Sequence, residues 1–274
     1  MLCTVVHAMA IPTSPKERNL NATAAVAAAV VPAAGRGERL GPGAPKALRE
    51  LGGVPLLVHA VRALARSRAV GLVVVAAPPE GVPEVGALLD SHGLDGKDIR
   101  VVAGGATRQE SVRLGLAAIP AEVEIVLVHD AARPLVPVDV VDAVVAAVRS
   151  GADAVVPAVP LADTVKRVVP QAGGRPEPVV ETPERATLRA VQTPQGFRRA
   201  VLCEVHEKAL AEEASAGQAE GALPPVTDDA GLVERFGGQV VVVPGHEEAF
   251  KVTRPLDLVL AEAVLARRRA SDGF

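Results

Sequence analysis

Tryptophan and tyrosine are absent from these 274 residues, and only four phenylalanines occur. A chain so poor in aromatic rings argues against stacking on nucleic-acid bases, which needs aromatic platforms, and its core must be assembled from many small aliphatic contacts. Charge of one sign is lacking too. The net charge is −3 with no long run of either sign, which argues against nucleic acid or an anionic membrane surface as a partner. No apolar run approaches the roughly 18–20 residues needed to cross a bilayer. Only Cys3 and Cys203 are present, outside any CxxC or CxxH spacing. A disulfide framework or structural zinc site is therefore unsupported, and a reducing cytoplasm is the simpler setting. The histidines form no HxH or HxxxH pair, which disfavours a histidine-based metal site.

What is present is a regular alternation of β-branched runs with Ala/Leu-rich helical stretches. Strands are expected at 24–33, 70–78, 99–104, 124–132, 152–160 and 237–245, and helices at 55–67, 82–91, 107–118, 137–150, 198–214 and 255–268. Near-continuous valine runs imply strands buried on both faces, and the β–α alternation implies a doubly wound, mostly parallel sheet of Rossmann-like α/β type. In such a sheet ligands bind beyond the carboxyl ends of the strands. Residues 1–23 read as a disordered extension, leaving 24–270 as a single domain. Two tracts break the rhythm. The segment around QAGGRPEP, between Asp163 and Arg189, reads as a projecting two-stranded arm, while 212–225 reads as a surface loop.

Three stretches that follow predicted strands carry chemistry. The first is VVPAAGRGERLGPGAPKAL, Val30 to Leu48, which has the glycines and cations of a phosphate loop but neither familiar spelling. The dinucleotide fingerprint needs glycine where Leu40 stands, and the Walker loop needs Gly-Lys-Ser/Thr where Pro45, Lys46 and Ala47 stand. Gly35 and Gly37 let backbone N–H groups approach an anion, and Arg39 and Lys46 add charge. The second is GGATRQESV, in which Thr107 and Glu110 have capping-box spacing, while the Gly105 backbone and the Ser111 hydroxyl are candidates for reading a base edge. The third is VLVHDAARPLV. Asp130, at a strand end, suits a carboxylate presented to phosphate-bound Mg²⁺, and Arg133 could pair with it or reach phosphate. His129 alone reads as a satisfied sheet-end histidine. Thr164, Arg185, Thr193, Thr227, Asp228 and Lys251, taken singly, read as solvated or capping residues.

In this order and spacing, AAGRGERLGPGAPKAL, GGATRQESV, VHDAARPLV, DTVKR, VQTPQGF, TDD and KVTRPLDL resemble the 2-C-methyl-D-erythritol 4-phosphate cytidylyltransferases of non-mevalonate isoprenoid biosynthesis. The resemblance runs from about Ala27 to Leu265. It implies that Ala33, Ala34 and Gly35, with Gly105 and Ser111, hold cytidine. Arg39 and Lys46 would stabilise the α-phosphate, and Lys251 would fix the reacting phosphate. Asp130 would lie near Mg²⁺ and the ribose. Arg133, Thr164, Arg185, Thr193 and Thr227 would serve methylerythritol phosphate, with Arg185 also counted in the catalytic set. It implies a homodimer as well, built through the 160–190 arm. The chain departs from the family pattern at Ala47, Leu48 and Ala106, and in its longer 170s and 212–225 tracts.

The chemistry is coherent from the residues alone. A phosphate monoester is already anionic at neutral pH, so no general base is required, and no Ser–His–Asp or Cys–His constellation is evident. The expected reaction is transfer of CMP from CTP to methylerythritol phosphate, driven by positioning and cations. Ribitol 5-phosphate is the alternative acceptor. Sugar-1-phosphate nucleotidylyltransferases, an NAD-dependent oxidoreductase and a non-catalytic nucleotide-binding protein are more distant readings.

Overall fold

A computed structural model describes residues 27–35, 45–94, 98–216 and 226–271. The expected N-terminal extension and residues 217–225 of the expected 212–225 loop lie outside the described residues, while 212–216 continue the preceding helix instead of forming a loop. The chain opens with strand β1 (Ala27–Pro32), a small hairpin of β2 (Glu50–Leu51) and β3 (Val54–Pro55), and helix α1 (Leu56–Arg66). There follow β4 (Val70–Ala77), α2 (Val82–Ser91), β5 (Asp98–Ala103), α3 (Arg108–Ala117), β6 (Ile125–Val128), α4 (Val138–Arg149) and β7 (Ala154–Pro160). The second half carries β8 (Arg167–Val168), β9 (Val179–Glu181), β10 (Arg189–Val191) and β11 (Gln195–Arg198). It ends with α5 (Arg199–Ala216), α6 (Asp229–Arg235), β12 (Val240–Pro244) and α7 (Pro255–Ser271).

Among the described residues, the main sheet has eight strands in the path β10-β7-β11-β6-β1-β4-β5, with β12 on the other side of β7. Strands β6, β1, β4 and β5 are mutually parallel, as are β7 and β12. From β1 the chain winds outward through β4 to β5, then returns to β6 on the opposite side of β1. That reversal is a topological switch point, and it opens a crevice beyond the carboxyl ends of β1 and β6.

Alternation along the strands divides the core in two. Ala27, Ala29 and Val31 of β1 face one cluster with Val73, Val75 and Leu127, covered by α1, α2 and α4. Ala28 and Val30 face the other, with Val74, Val126 and Val128, covered by α3, α5 and α6. Every one of these strand residues is essentially inaccessible to solvent, which is why the sequence shows valine runs in place of polar alternation. A third, smaller cluster of Leu51, Leu56, Leu135, Val252 and Ala261 seats α7.

The twelve anticipated strands and helices form, with ends moved by a few residues. Sequence pattern alone missed β11, an antiparallel strand inserted between β6 and β7, and the short helix α6. Strands β10 and β11 run along the same edge of β7, interrupted at Gln192–Pro194. The anticipated arm is present as β8 and β9, which pair with each other off the main sheet. Among the described residues no helix is long and apolar enough to cross a membrane.

Small residues let the layers approach closely. A Cβ on Gly115 of α3 would come within 2.5 Å of a Val30 methyl on β1. Replacing a mid-helix glycine by alanine gains about 1 kcal/mol of helix propensity, but overpacking a rigid valine on the central strand costs about 1–3 kcal/mol. Gly115→Ala is therefore expected to lose about 1 kcal/mol net, read as a lower urea midpoint at unchanged slope; a gain in midpoint would show that β1 yields.

Candidate active site

Three loops meet beyond the carboxyl ends of β1, β5 and β6. At the first, Ala33 N–H continues the ladder by donating to the Ala76 carbonyl at 2.8 Å. At the second, Gly104 N–H donates to the Ala77 carbonyl at 2.7 Å. A Cβ on Gly104 would lie 2.7 Å from Ala34 Cβ and 3.0 Å from Ser111 Oγ, so only glycine allows the first two loops to touch. Thr107 caps α3 by accepting from Glu110 N–H at 3.0 Å, and a Glu110 carboxylate oxygen accepts from Ala106 N–H at 2.8 Å. Ser111 is buried. Its Oγ accepts from Gly105 N–H at 3.1 Å and donates to the Thr107 carbonyl at 2.9 Å, which fixes the loop from within.

The third loop holds the charges. Asp130 follows β6 and is nearly buried, with Lys251 Nζ 2.7 Å from Oδ2 and Arg108 Nε 3.5 Å from Oδ1. Burial alone would raise the Asp130 carboxyl; Arg108 and Lys251 overcome that and hold it well below the usual carboxylate range. Its backbone N–H donates to Thr193 Oγ1 at 3.0 Å, and that hydroxyl also bonds the fully buried His129 ring at 3.0 Å. Thr193 can reach both because it sits in the interruption between β10 and β11.

Lys251 is itself held by its loop. Gln192 clamps His246, donating to its carbonyl at 2.8 Å and accepting from its N–H at 3.1 Å. Arg133 donates to the Ala249 carbonyl at 2.7 Å and the Val191 carbonyl at 3.1 Å. Val252 N–H donates to the Ala132 carbonyl at 2.8 Å. Of the two roles left open for Arg133 by sequence, the pairing with Asp130 is replaced here by two backbone carbonyls. Glu248 pairs with Arg267 and Arg268 and ties α7 to the same loop.

The structure thus brings together Asp130, Lys251, Arg133 and Thr193, and separately joins Ala34 to the Gly105–Ser111 loop. Lys46 opens a 3₁₀ turn after Pro45. Arg39 lies outside the described residues, so the loop's second cation has no structural account. Thr164 and Thr227 are exposed. Arg185, also exposed, donates to the Ala162 carbonyl at 2.5 Å at the base of the arm. Among the described residues, none of these three bonds to Asp130 or Lys251.

Sequence reasoning passed over Arg108, Gln192, Gln195, His206 and Asp229. Gln195 donates to Asp228 at 2.6 Å and accepts from Ala230 N–H at 3.2 Å, anchoring α6 to β11. Asp228 caps α6 by accepting from Gly231 N–H at 2.9 Å. The available signal was the doubled acid of TDD beside the arginine of TRQES, two motifs far apart in sequence that only the fold brings together.

Burial pushes the His129 imidazole down to about 4, against weaker opposing help from Asp130 and two hydrogen bonds. A histidine kept neutral in the native state takes up a proton on unfolding, so its contribution is complete above pH ~6.5 and is lost as pH falls toward 4. Acidification across that window should remove up to about 3 kcal/mol of stability through this group. Urea unfolding in chelator-containing buffer at pH 7 and 4.5 measures it; His129→Asn should flatten the dependence, and an unchanged slope would contradict the assignment.

A family model for 2-C-methyl-D-erythritol 4-phosphate cytidylyltransferase matches residues 27–267. The chain is 70% identical over 249 residues to the protein of that name from Streptomyces coelicolor, covering 90% of this chain and 87% of that one. The Streptomyces avermitilis protein is 68% identical, with 90% and 94% covered. Among solved structures, the 2-C-methyl-D-erythritol 4-phosphate cytidylyltransferase of Thermus thermophilus is similar with a TM-score of 0.66 and 36% identity, over 86% of this chain and 97% of that one. The 4-diphosphocytidyl-2C-methyl-D-erythritol synthase of Anaerococcus prevotii gives 0.72 and 28%, over 88% and 96%.

Proposed function

The chain belongs to the 2-C-methyl-D-erythritol 4-phosphate cytidylyltransferase family, and from that premise we propose how its own residues carry out the reaction. The enzyme is a nucleotidyltransferase of isoprenoid biosynthesis that moves CMP from CTP to 2-C-methyl-D-erythritol 4-phosphate. A phosphate oxygen of the acceptor forms the new bond to the α-phosphorus. The bond from that phosphorus to the α,β-bridging oxygen breaks, and the electron pair leaves with pyrophosphate. No proton need be removed from the nucleophile, which accords with a site built from cations and one ionised carboxylate.

The observation that carries the site assignment is Lys251 closed on Asp130 at the switch point, beside the touching Ala34 and Gly104 loops. We assign cytidine to Ala33, Ala34, Gly35, Gly105 and Ser111. The reacting phosphates go to Arg39, Lys46 and Lys251, and the acceptor to Arg133, Thr164, Arg185, Thr193 and Thr227. For the residues whose hydroxyl or guanidinium is engaged internally, Ser111, Thr193 and Arg133, the role is to set the shape of the pocket wall.

No three acidic, histidine or cysteine side chains converge as a metal cage among the described residues. Magnesium commonly takes one or two carboxylates plus substrate phosphates, and Asp130, a single carboxylate kept ionised, fits an ion that arrives with the triphosphate. Such an ion would supply charge neutralisation of the phosphates. The chain's own part is to keep Asp130 ionised and its cations converged.

We also propose a homodimer through the arm. Strands β8 and β9 have two and three residues, and Val169, Val179 and Val180 are 47%, 57% and 61% exposed. An isolated two-stranded ribbon of this size is marginal in water, and a second copy covering those valines would stabilise it and complete the acceptor pocket with Thr164 and Arg185. A cytoplasmic setting accompanies this reading.

The deciding assay is pyrophosphate release from CTP, with methylerythritol phosphate and then with ribitol 5-phosphate, each with and without Mg²⁺. Lys46→Ala is expected to lower turnover by on the order of 10²–10³, by analogy with removal of one preorganised oxyanion donor. Near-normal turnover in that variant would remove Lys46 from the catalytic set, and release only with the pentitol phosphate would reassign the acceptor. For the arm, Val180→Asp should shift sedimentation velocity toward monomer and weaken acceptor use more than CTP use. A variant that stays dimeric with unchanged acceptor KM would place the interface elsewhere.

A further inference from the structure

Asp229 is a carboxylate with 2% exposure on the first turn of α6. Its Oδ2 accepts from Arg108 Nη1 at 2.6 Å, and its Oδ1 bonds Nε2 of His206 at 3.0 Å. His206, on α5, is itself 3% exposed. Arg108 is the first residue of α3, and its Nε edge faces Asp130 Oδ1 at 3.5 Å. A continuous line of polar contacts thus runs His206, Asp229, Arg108, Asp130, Lys251, from the interior of the α5–α6 layer to the site mouth.

The unequal distances within this line matter. Arginine and carboxylate pair best through two parallel N–H donors, and Arg108 has two acidic candidates. It makes a close single contact to Asp229 and only a long approach to Asp130. With both oxygens free, Asp229 could turn to take the guanidinium fork. With Asp229 neutral or absent, the fork would close on Asp130 and compete with Lys251. His206 prevents the first outcome and supports Asp229 against the second. A tie between helices would not need this arrangement: Val112 and Leu116 of α3 already pack with Leu202 and Val205 of α5 in the same cluster.

We propose that His206 is a positioning residue for the nucleotidyl-transfer site: by occupying Oδ1 of Asp229 it leaves one oxygen for Arg108 and holds that guanidinium at the edge of Asp130. Lys251 thereby remains the close partner of Asp130. The inference rests on the reading that Asp130 and Lys251 serve the reaction, and goes beyond it by reaching a residue two contacts removed.

Two measurements test it. The first is independent of activity: the Arg108 Nε–Hε resonance in ¹H–¹⁵N spectra should shift in His206→Leu and return near the wild-type position in His206→Gln, whose amide keeps a donor for Asp229. An unmoved resonance in the leucine variant would overturn the proposal. The second is a double-mutant cycle on kcat and KM with His206→Leu and Arg108→Ala. His206→Leu should lower kcat by roughly 10-fold, as expected for a displaced catalytic geometry, leave the acceptor KM unchanged, and cause no further loss in the Arg108→Ala background. Full multiplication of the two losses, or a glutamine variant as impaired as leucine, would show an independent structural role. If the leucine variant unfolds, His206→Asn, whose amide is too short to reach Asp229, carries the same comparisons. Wild-type enzyme that released no pyrophosphate would defeat the cytidylyl-transfer reading, while the Arg108 resonance would still decide the positioning.

Discussion

A carboxylate nearly withdrawn from water at the end of β6 is the constraint on which the rest of the site depends. Burial disfavours the ionised form of Asp130, and only nearby cations restore it. Those cations come from distant parts of the chain, Arg108 from the start of α3 and Lys251 from the loop before α7. Each must therefore be delivered by tertiary structure. Gln192, Arg133 and the Val252 N–H do so for Lys251, and Asp229 does so for Arg108. Removing one partner from such a buried arrangement leaves an uncompensated charge, which is why the supporting hydrogen bonds are backbone-directed and numerous.

The composition makes this delivery feasible. Strand β1 reads AAAVVP, and alanine and valine with no aromatic ring allow α3 to press Gly115 against Val30. The same economy of volume brings Gly104 against Ala34 and Gly196 of β11 against Val144 of α4. With bulky rings in these positions, the loops beyond β1 and β5 would stand apart. The lack of tryptophan and tyrosine, which argues against base stacking as a binding mode, accompanies the small residues Gly104 and Ala34 that let two strand-end loops meet.

Much of this was legible in the sequence because burial on both faces writes itself as valine runs, and strand ends write themselves as Gly, Asp and Thr. Asp130 was readable because it stands two residues past the IVLV run, and Thr107 because Glu110 stands three residues on. What was not legible has a common physical cause. Strand β11 is four residues, QGFR, with a glycine inside and a proline before it, and it is a strand only because β6 and β7 flank it. Arg108, His206 and Asp229 sit on three helices, each with an ordinary helical spacing that carries no trace of the others. Arg108 was hidden further by its neighbours, since Thr107 and Glu110 already explained the motif as a cap. Gln192 and Gln195 differ from surface glutamines only in being buried, which a single sequence does not display.

The placement of carboxylates inside the site proposed for polyanions follows from electrostatics. Cations gathered without counter-charge would repel one another and turn to solvent, so a polyanion arriving would have to reorganise them. With Asp130 between them and Asp229 behind the arginine, Arg108 and Lys251 are held converged before any substrate enters, and the reorganisation cost is met in folding, where it does not appear in the barrier. The two acids are not equivalent in this respect. Asp229 is sealed by His206 and stays a fixed anchor, whereas Asp130 keeps a partly accessible edge toward the crevice. In the proposed reaction the phosphates of CTP can then draw on Lys251 without loosening Arg108, because the arginine's stronger tie lies on the side away from the substrate. A site of this design separates the charge that reacts from the charge that holds it in place.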